Sequence, residues 1–99
     1  MGDIPDNTGH RARLRQRLLA DGEGLLDHEL VEYLLALAIP RRDTKPLAKA
    51  LLHEFGGIAG LLTADAGAIA RVPGVGDTSV AALKIAHAAA PRLLRGELG

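Results

Sequence analysis

A short turn, Val72-Pro73-Gly74-Val75-Gly76, separates two segments of helical pattern and restricts how they can be connected. Pro73 fixes one backbone angle, and the glycines allow angles at which a side chain would clash. We expect a tight reversal with exposed amide groups, held rigid by Val72 and Val75 packing between the two helices. The turn therefore predicts a hairpin of two helices.

The rest of the chain also has the periodicity of helices, because its apolar residues recur at spacings of three and four. No stretch alternates apolar and polar residues between turn signals, so we predict no sheet. Only 2% of the residues are aromatic, and a core of Leu, Ile, Val and Ala favours helices. The prediction is an all-α protein, a compact bundle of five to six short helices.

Helix boundaries follow from capping residues and helix breakers. The first helix is expected to begin near His10 and the last to run from Thr78 to Ala90. The expected N-caps are Asp27, Asp43 or Thr44, and Asp65; the expected stops are Asp21-Gly22, Pro40 and Gly56-Gly57. Pro91 is expected to end or kink the last helix. The residues expected to face inward are Leu14, Leu18, Leu19, Leu30, Leu34, Leu35, Leu37, Leu47, Leu51 and Leu52.

The length of 99 residues favours one helical domain, which we place at residues 9–95. Residues 1–8 are polar and are expected to form a flexible tail, and residues 96–99 a C-terminal tail. The polar N-terminus and the lack of a long apolar run exclude a signal segment and a membrane span. Without cysteine there are no disulfides, so we predict a soluble, cytoplasmic protein.

Residues 39–44 resemble residues 72–78, about one helical hairpin further along the chain. In the first segment Arg41 and Arg42 stand where the second has glycines. We interpret the pair as tandem helix-hairpin-helix motifs, with hairpins near 39–44 and 72–77 and the first one degenerate.

The second hairpin has features suited to a phosphate group. The amides of Gly74 and Gly76 lie at a helix N-terminus, where unpaired N–H groups and the helix dipole favour an anion. Lys84, two turns further on, is expected to reach the same phosphate backbone. Two observations leave the alternative of an ordinary tight corner open: such turns are common, and Asp77 puts a negative charge beside the site.

The first hairpin offers a second candidate contact, because guanidinium groups are suited to phosphate. Lys45 and Lys49, at positions i and i+4, extend that patch, although a solvated helix start fits equally well. The net charge is zero, so a basic face requires segregation of charge on the surface. The candidate DNA-binding residues are Pro73, Gly74, Val75, Gly76, Thr78, Lys84, Arg41, Arg42, Lys45 and Lys49.

No other set of residues has the pattern of a catalytic or metal site. Ser79 has no activating base nearby, and Asp27, Glu29 and Glu32 are interpreted as a charged first helical turn. The histidines are scattered at His10, His28, His53 and His87, without metal-ligand spacing. For Arg11, Arg13, Arg15 and Arg17 a solvated helix face is favoured over nucleic-acid contact. We predict no enzyme activity, metal, cofactor or small-molecule substrate.

The sequence resembles the N-terminal domain of the bacterial RadC family, whose members have long been described as DNA repair proteins. The resemblance runs from Gly9 to about Ala90 through GHRARLRQRLLADG, DHELVEYLLALAIPRRDTKPLAKALLHEFG, VPGVG and AALK. It implies a tandem helix-hairpin-helix module ahead of a C-terminal, metal-dependent hydrolase-like domain of the JAB type. The metal-site signature of that domain, an H-x-H pair followed by Ser and Asp, has no match here, so we expect an excised N-terminal domain.

The function expected from the resemblance and the hairpins is non-sequence-specific binding to the DNA phosphate backbone, on duplex or branched DNA. One departure from the family pattern is Asp77-Thr78, where modules that bind DNA often have a basic residue after the second glycine. The alternative is a protein-interaction or regulatory domain that docks on the parent's JAB-type domain or on another partner.

Overall fold

Six α-helices make up the described part of the chain. The structure, a computed structural model, describes residues 6–98 and the side chains of residues 9–96. The helices are α1 (Asp6–Asp21), α2 (Asp27–Ala38), α3 (Lys45–Phe55), α4 (Ile58–Thr63), α5 (Ala66–Ala70) and α6 (Asp77–Leu98), with a 3-10 turn at Gly22–Gly24. No strand occurs between residues 6 and 98, which confirms the prediction of an all-α fold.

Within residues 6–98, no helix combines the length and the apolar character that crossing a membrane requires.

Several helix boundaries lie where local signals predicted them. Helix α1 ends at Asp21, and α3 ends at Phe55, where the C-cap Gly56 adopts a left-handed conformation. The side chain of Asp65 accepts a hydrogen bond from the Gly67 amide at 3.1 Å, as expected of an N-cap. These signals act over a few residues, so the sequence is sufficient to read them.

The start of α2 differs from the prediction, because Leu26 and not Asp27 occupies the N-cap position. The carboxylate of Glu29 accepts a hydrogen bond from the Leu26 amide at 2.9 Å. Asp27 is the first helical residue, where its charge still suits the helix dipole.

At the start of α3, the two candidate capping residues have different roles. Asp43 accepts a hydrogen bond from the Lys45 amide at 3.2 Å. Thr44 occupies the N-cap position, but its buried hydroxyl donates to the Glu32 carbonyl of α2 at 2.7 Å. The hydroxyl of Thr44 therefore ties the start of α3 to the middle of α2.

The first helix begins at Asp6 and not near His10. Residues 6–8 of the predicted flexible tail are thus helical, and residues 1–5 lie outside the described residues.

The last helix passes through Pro91 and continues to Leu98, so of the two outcomes expected at Pro91, an end or a kink, the end does not occur. A proline in a helix interior costs about 3 kcal/mol, because one carbonyl loses its backbone partner and the ring crowds that same carbonyl. Here that carbonyl belongs to His87, an exposed residue, so water can hydrate it. Residues 96–98 of the predicted C-terminal tail are part of α6, and Gly99 lies outside the described residues.

The core lies where α2, α3, α4, α5 and α6 meet. Its buried members are Val31, Leu35, Leu47, Ala48, Leu51, Leu61, Ile69 and Leu83. Two residues expected to face inward are exposed, Leu19 at 78% and Leu37 at 66%. Leu37 lies about 200° around α2 from the fully buried Leu35, so one helix cannot bury both against the same neighbours.

Candidate nucleic-acid interface

The turn between α5 and α6 has the tight geometry that its glycine and proline predicted. Gly74 has a φ of +93°, which residues with a side chain rarely adopt. The amide of Val75 donates to the carbonyl of Val72 at 3.1 Å and closes the turn. Val72 and Val75 are half-buried against the core, which confirms that they anchor the turn.

Gly76 does not have the conformational role expected of it. Its φ is not positive, and a Cβ placed on it would meet no atom within 4 Å. Its carbonyl accepts a hydrogen bond from the Val80 amide at 3.1 Å, so Gly76 is the N-cap of α6. The expectation that a side chain would clash at Gly76 is therefore wrong.

The amides at the start of α6 are free to bind a ligand. Among residues 9–96, the amides of Gly76, Asp77 and Thr78 donate to no other group, and the first bond of the helix is made by Val80. Unpaired N–H groups and the helix dipole favour an anion at this position. Asp77 is exposed in the same turn and places a carboxylate there.

Arg42 connects the two turns of the predicted tandem pattern. Its Nη1 donates to the carbonyl of Gly74 at 2.8 Å. A Cβ on Gly74 would lie 3.2 Å from Arg42 Nη2 and 3.6 Å from Leu47 Cδ1. The basic segment 41–49 is thus packed against the turn at 71–76.

The other predicted basic residues of this segment are exposed. Arg41, Lys45 and Lys49 form no ion pair with any residue between 9 and 96. Lys49 lines the same groove as Pro73, so its side chain lies beside the second turn.

Lys84 does not lie at the turn at 71–76, where it was expected to contact phosphate. Its half-buried ammonium donates to the carbonyl of Leu62 at 3.2 Å and to that of Ala64. These carbonyls lie at the C-terminal end of α4, where a cation also suits the helix dipole. The structure therefore directs Lys84 to α4 and not to the turn at 71–76, which spacing along α6 alone could not reveal.

Two arginines of α1 form surface contacts with other segments of the chain. Arg17 binds the carboxylate of Glu29 with both terminal nitrogens, at 2.8 and 3.2 Å, and Arg11 donates to the Pro40 carbonyl. The bond from Arg17, followed by that from the Leu26 amide, holds the pKa of Glu29 below its ordinary value. Arg13 and Arg15 are also exposed, and they form no ion pair with a residue between 9 and 96.

Glu32 is buried, which corrects its interpretation as part of a charged first turn. Its side chain is 3% exposed, and Oε2 lies 2.8 Å from Nε2 of His10. The sequence did contain a signal: Glu32 precedes the buried Leu35 and Ala36 by three and four residues, so it falls on the apolar face of α2.

A curated UPF0758 protein of Ruegeria pomeroyi is similar to this chain. The two are 44% identical over 90 residues, which is 90% of this chain and 40% of the relative. The chain therefore spans less than half the length of that protein. No protein-family model and no solved structure matches the chain.

Proposed function

The chain is a homologue of the UPF0758 family over 90% of its length, and on that premise we propose that it is a non-sequence-specific DNA-binding module. In this proposal α5, the turn and α6 form one helix-hairpin-helix motif, and α2, the segment 39–44 and α3 form the degenerate other. The resemblance to the RadC family supports a role in DNA repair. The proposal assigns no reaction to this chain.

The contact between Arg42 and Gly74 is the observation that carries the proposal. It sets a guanidinium group against the turn that leads to the free amides of Gly76, Asp77 and Thr78. Arg42 uses one N–H group on the carbonyl of Gly74 and keeps further donors for a phosphate. Charge-assisted hydrogen bonds from a guanidinium and from helix N-terminal amides are among the stronger contacts that a phosphate makes.

Such contacts bind the DNA backbone and leave the base edges unread, so affinity should depend on salt and little on sequence. Thr78 contributes its amide, and Arg41 and Lys45 contribute charge from the first hairpin. Asp77 opposes binding, and its replacement by Asn should tighten it.

A titration of labelled duplex and branched DNA at low and at physiological salt tests the proposal. The logarithm of the binding constant should fall linearly with the logarithm of salt concentration, by about 0.9 for each phosphate contact on a duplex. Arg42→Ala should weaken binding, whereas Arg13→Ala, which removes an exposed charge of α1, should change it little. Absence of salt-sensitive binding at both salt concentrations would overturn the proposal.

A second candidate function, docking to a protein partner, is favoured by the exposed apolar surface between α2 and α6. Leu37 and Ile85 are each 66% exposed and line a groove of about 500 Å³ there. Exposed apolar patches often mark interaction sites. The candidate partner is the JAB-type domain that the family resemblance implies. Calorimetric titration against the remaining part of the Ruegeria protein tests this, and Leu37→Glu should abolish the binding.

A further inference from the structure

A groove opens beside the second turn, between α3 on one side and α5 on the other. Its volume is about 740 Å³, and its lining includes Lys49, His53, Glu54, Phe55, Arg71 and Pro73. It is larger and more polar than the apolar groove between α2 and α6.

Positive charge approaches this groove from both sides. Lys49 and His53, at positions i and i+4, share one face of α3, and Arg71 follows the end of α5. All three are exposed, and none forms an ion pair with a residue between 9 and 96. Glu54 is the single acidic side chain of the lining, so the groove is net positive on a chain whose total charge is zero.

The groove is continuous with the turn at 71–76, because Val72 and Pro73 belong to both. The groove therefore reaches the turn that leads to the free amides of α6. Phe55 and Pro73 add apolar surface to the lining, against which the sugar of a nucleotide can pack.

We infer that this groove binds the sugar–phosphate backbone of the strand whose neighbouring phosphate is held at the second turn. Lys49 and Arg71 contact its phosphates from opposite sides, and His53 lines the groove next to Lys49. This inference rests on the proposed DNA binding and extends it to Arg71 and His53, which the sequence motifs do not include.

The double variant Lys49→Ala/Arg71→Ala tests the inference through the salt dependence of binding. Loss of two phosphate contacts should lower the slope by about 1.8 on duplex DNA and by about 1.4 on single-stranded DNA. The matched control, Arg13→Ala/Arg15→Ala, removes the same charge from α1 and should leave the slope unchanged.

Two single substitutions test the groove without removing its cations. Ala50→Glu adds a negative charge to the lining and should weaken binding, whereas Ala89→Glu adds it to an exposed position of α6 and should have little effect. Glu54→Gln should strengthen binding. These positions are exposed, so the substitutions should leave the fold intact. They test the inference if circular dichroism shows that the double variant does not fold.

The outcomes separate this inference from the proposed function. If the unaltered protein shows no salt-sensitive DNA binding, both fail. If it binds DNA and Arg42→Ala weakens binding, but the groove variants leave slope and affinity unchanged, the groove inference alone is overturned. Polyglutamate tests whether the groove binds an acidic protein segment and not DNA. If polyglutamate binds as tightly as single-stranded DNA, and the groove variants weaken that binding, the groove is assigned to an acidic protein segment instead.

Discussion

Glu29 connects two helices through one carboxylate. It accepts hydrogen bonds from Arg17 of α1 and from the Leu26 amide at the start of α2. Both contacts favour the charged form, so the pKa of Glu29 is lower in the folded protein than in the unfolded chain. The link between α1 and α2 therefore depends on that charge.

Replacing Glu29 by Gln should destabilise the protein in a pH-dependent way. The charged carboxylate adds up to about 1 kcal/mol to the free energy of unfolding above the ordinary glutamate pKa of about 4.3. Because the folded pKa is depressed, this contribution is lost as the pH falls through it. Urea unfolding at neutral and acidic pH should show a difference between the two proteins that shrinks in acid. A difference that persists in acid would contradict this account.

Lys84 is expected to matter for stability more than for DNA binding. In Lys84→Met the Leu62 and Ala64 carbonyls lose their partner, which costs about 1–3 kcal/mol. For a domain of this size each kcal/mol lowers Tm by about 4–8 °C. Arg95→Met, at an exposed position of the same helix, is the control. If Lys84→Met leaves Tm unchanged and weakens DNA binding, the hydrogen bonds of Lys84 to the end of α4 do not contribute to stability. Lys84 then belongs to the DNA interface.

Among the elements, α4 lies very close to the end of α3 at Gly60. A Cβ on Gly60 would lie 2.0 Å from the carbonyl oxygen of Phe55, a distance that no side chain can occupy. Spacing along the sequence does not reveal this contact. Gly60 therefore allows the short α4 to turn back against the end of α3.

Gly60→Ala should consequently destabilise the protein by more than about 2 kcal/mol, since the backbone of α3 or α4 must shift. Gly96→Ala is the matched control, because a Cβ there meets open space in a helix. That change should stabilise the protein by about 1 kcal/mol at most. Thermal unfolding of the two variants measures both effects, and equal Tm values would contradict the close approach.

The helices themselves could be predicted from the sequence, because caps such as Asp65 and stops such as Gly56 act over a few residues. Pro91 is the exception, since the local rule does not include the hydration of an exposed carbonyl. In the candidate site, the turn at Gly74 was predictable from its proline and glycines. The contact of Arg42 with that turn was not, because likeness between segments 39–44 and 72–78 does not establish that they touch.

The described part of the chain has extents of 54 × 34 × 21 Å, and residues 89–96 of α6 are the longest run of exposed residues between 9 and 96. Leu93 and Leu94 are 64% and 60% exposed, whereas Leu83 on the same helix is fully buried. Stability should therefore depend on the first half of α6.

Leu83→Ala should lower the free energy of unfolding by about 2–5 kcal/mol, because it leaves a cavity in the core. Leu93→Ala, the same change in the exposed half, should alter it by less than about 0.5 kcal/mol. Urea unfolding compares the two. A large loss with Leu93→Ala would indicate that a second molecule covers this part of α6, which sedimentation would then detect.

The contact between Arg42 and Gly74 also restricts how related sequences can diverge. A side chain at position 74 would displace the guanidinium, and loss of the arginine would remove a bond that holds the turn. Substitutions at the two positions should therefore be correlated among homologues, although 32 positions separate them along the chain. The segments 39–44 and 71–76 would then evolve as one unit.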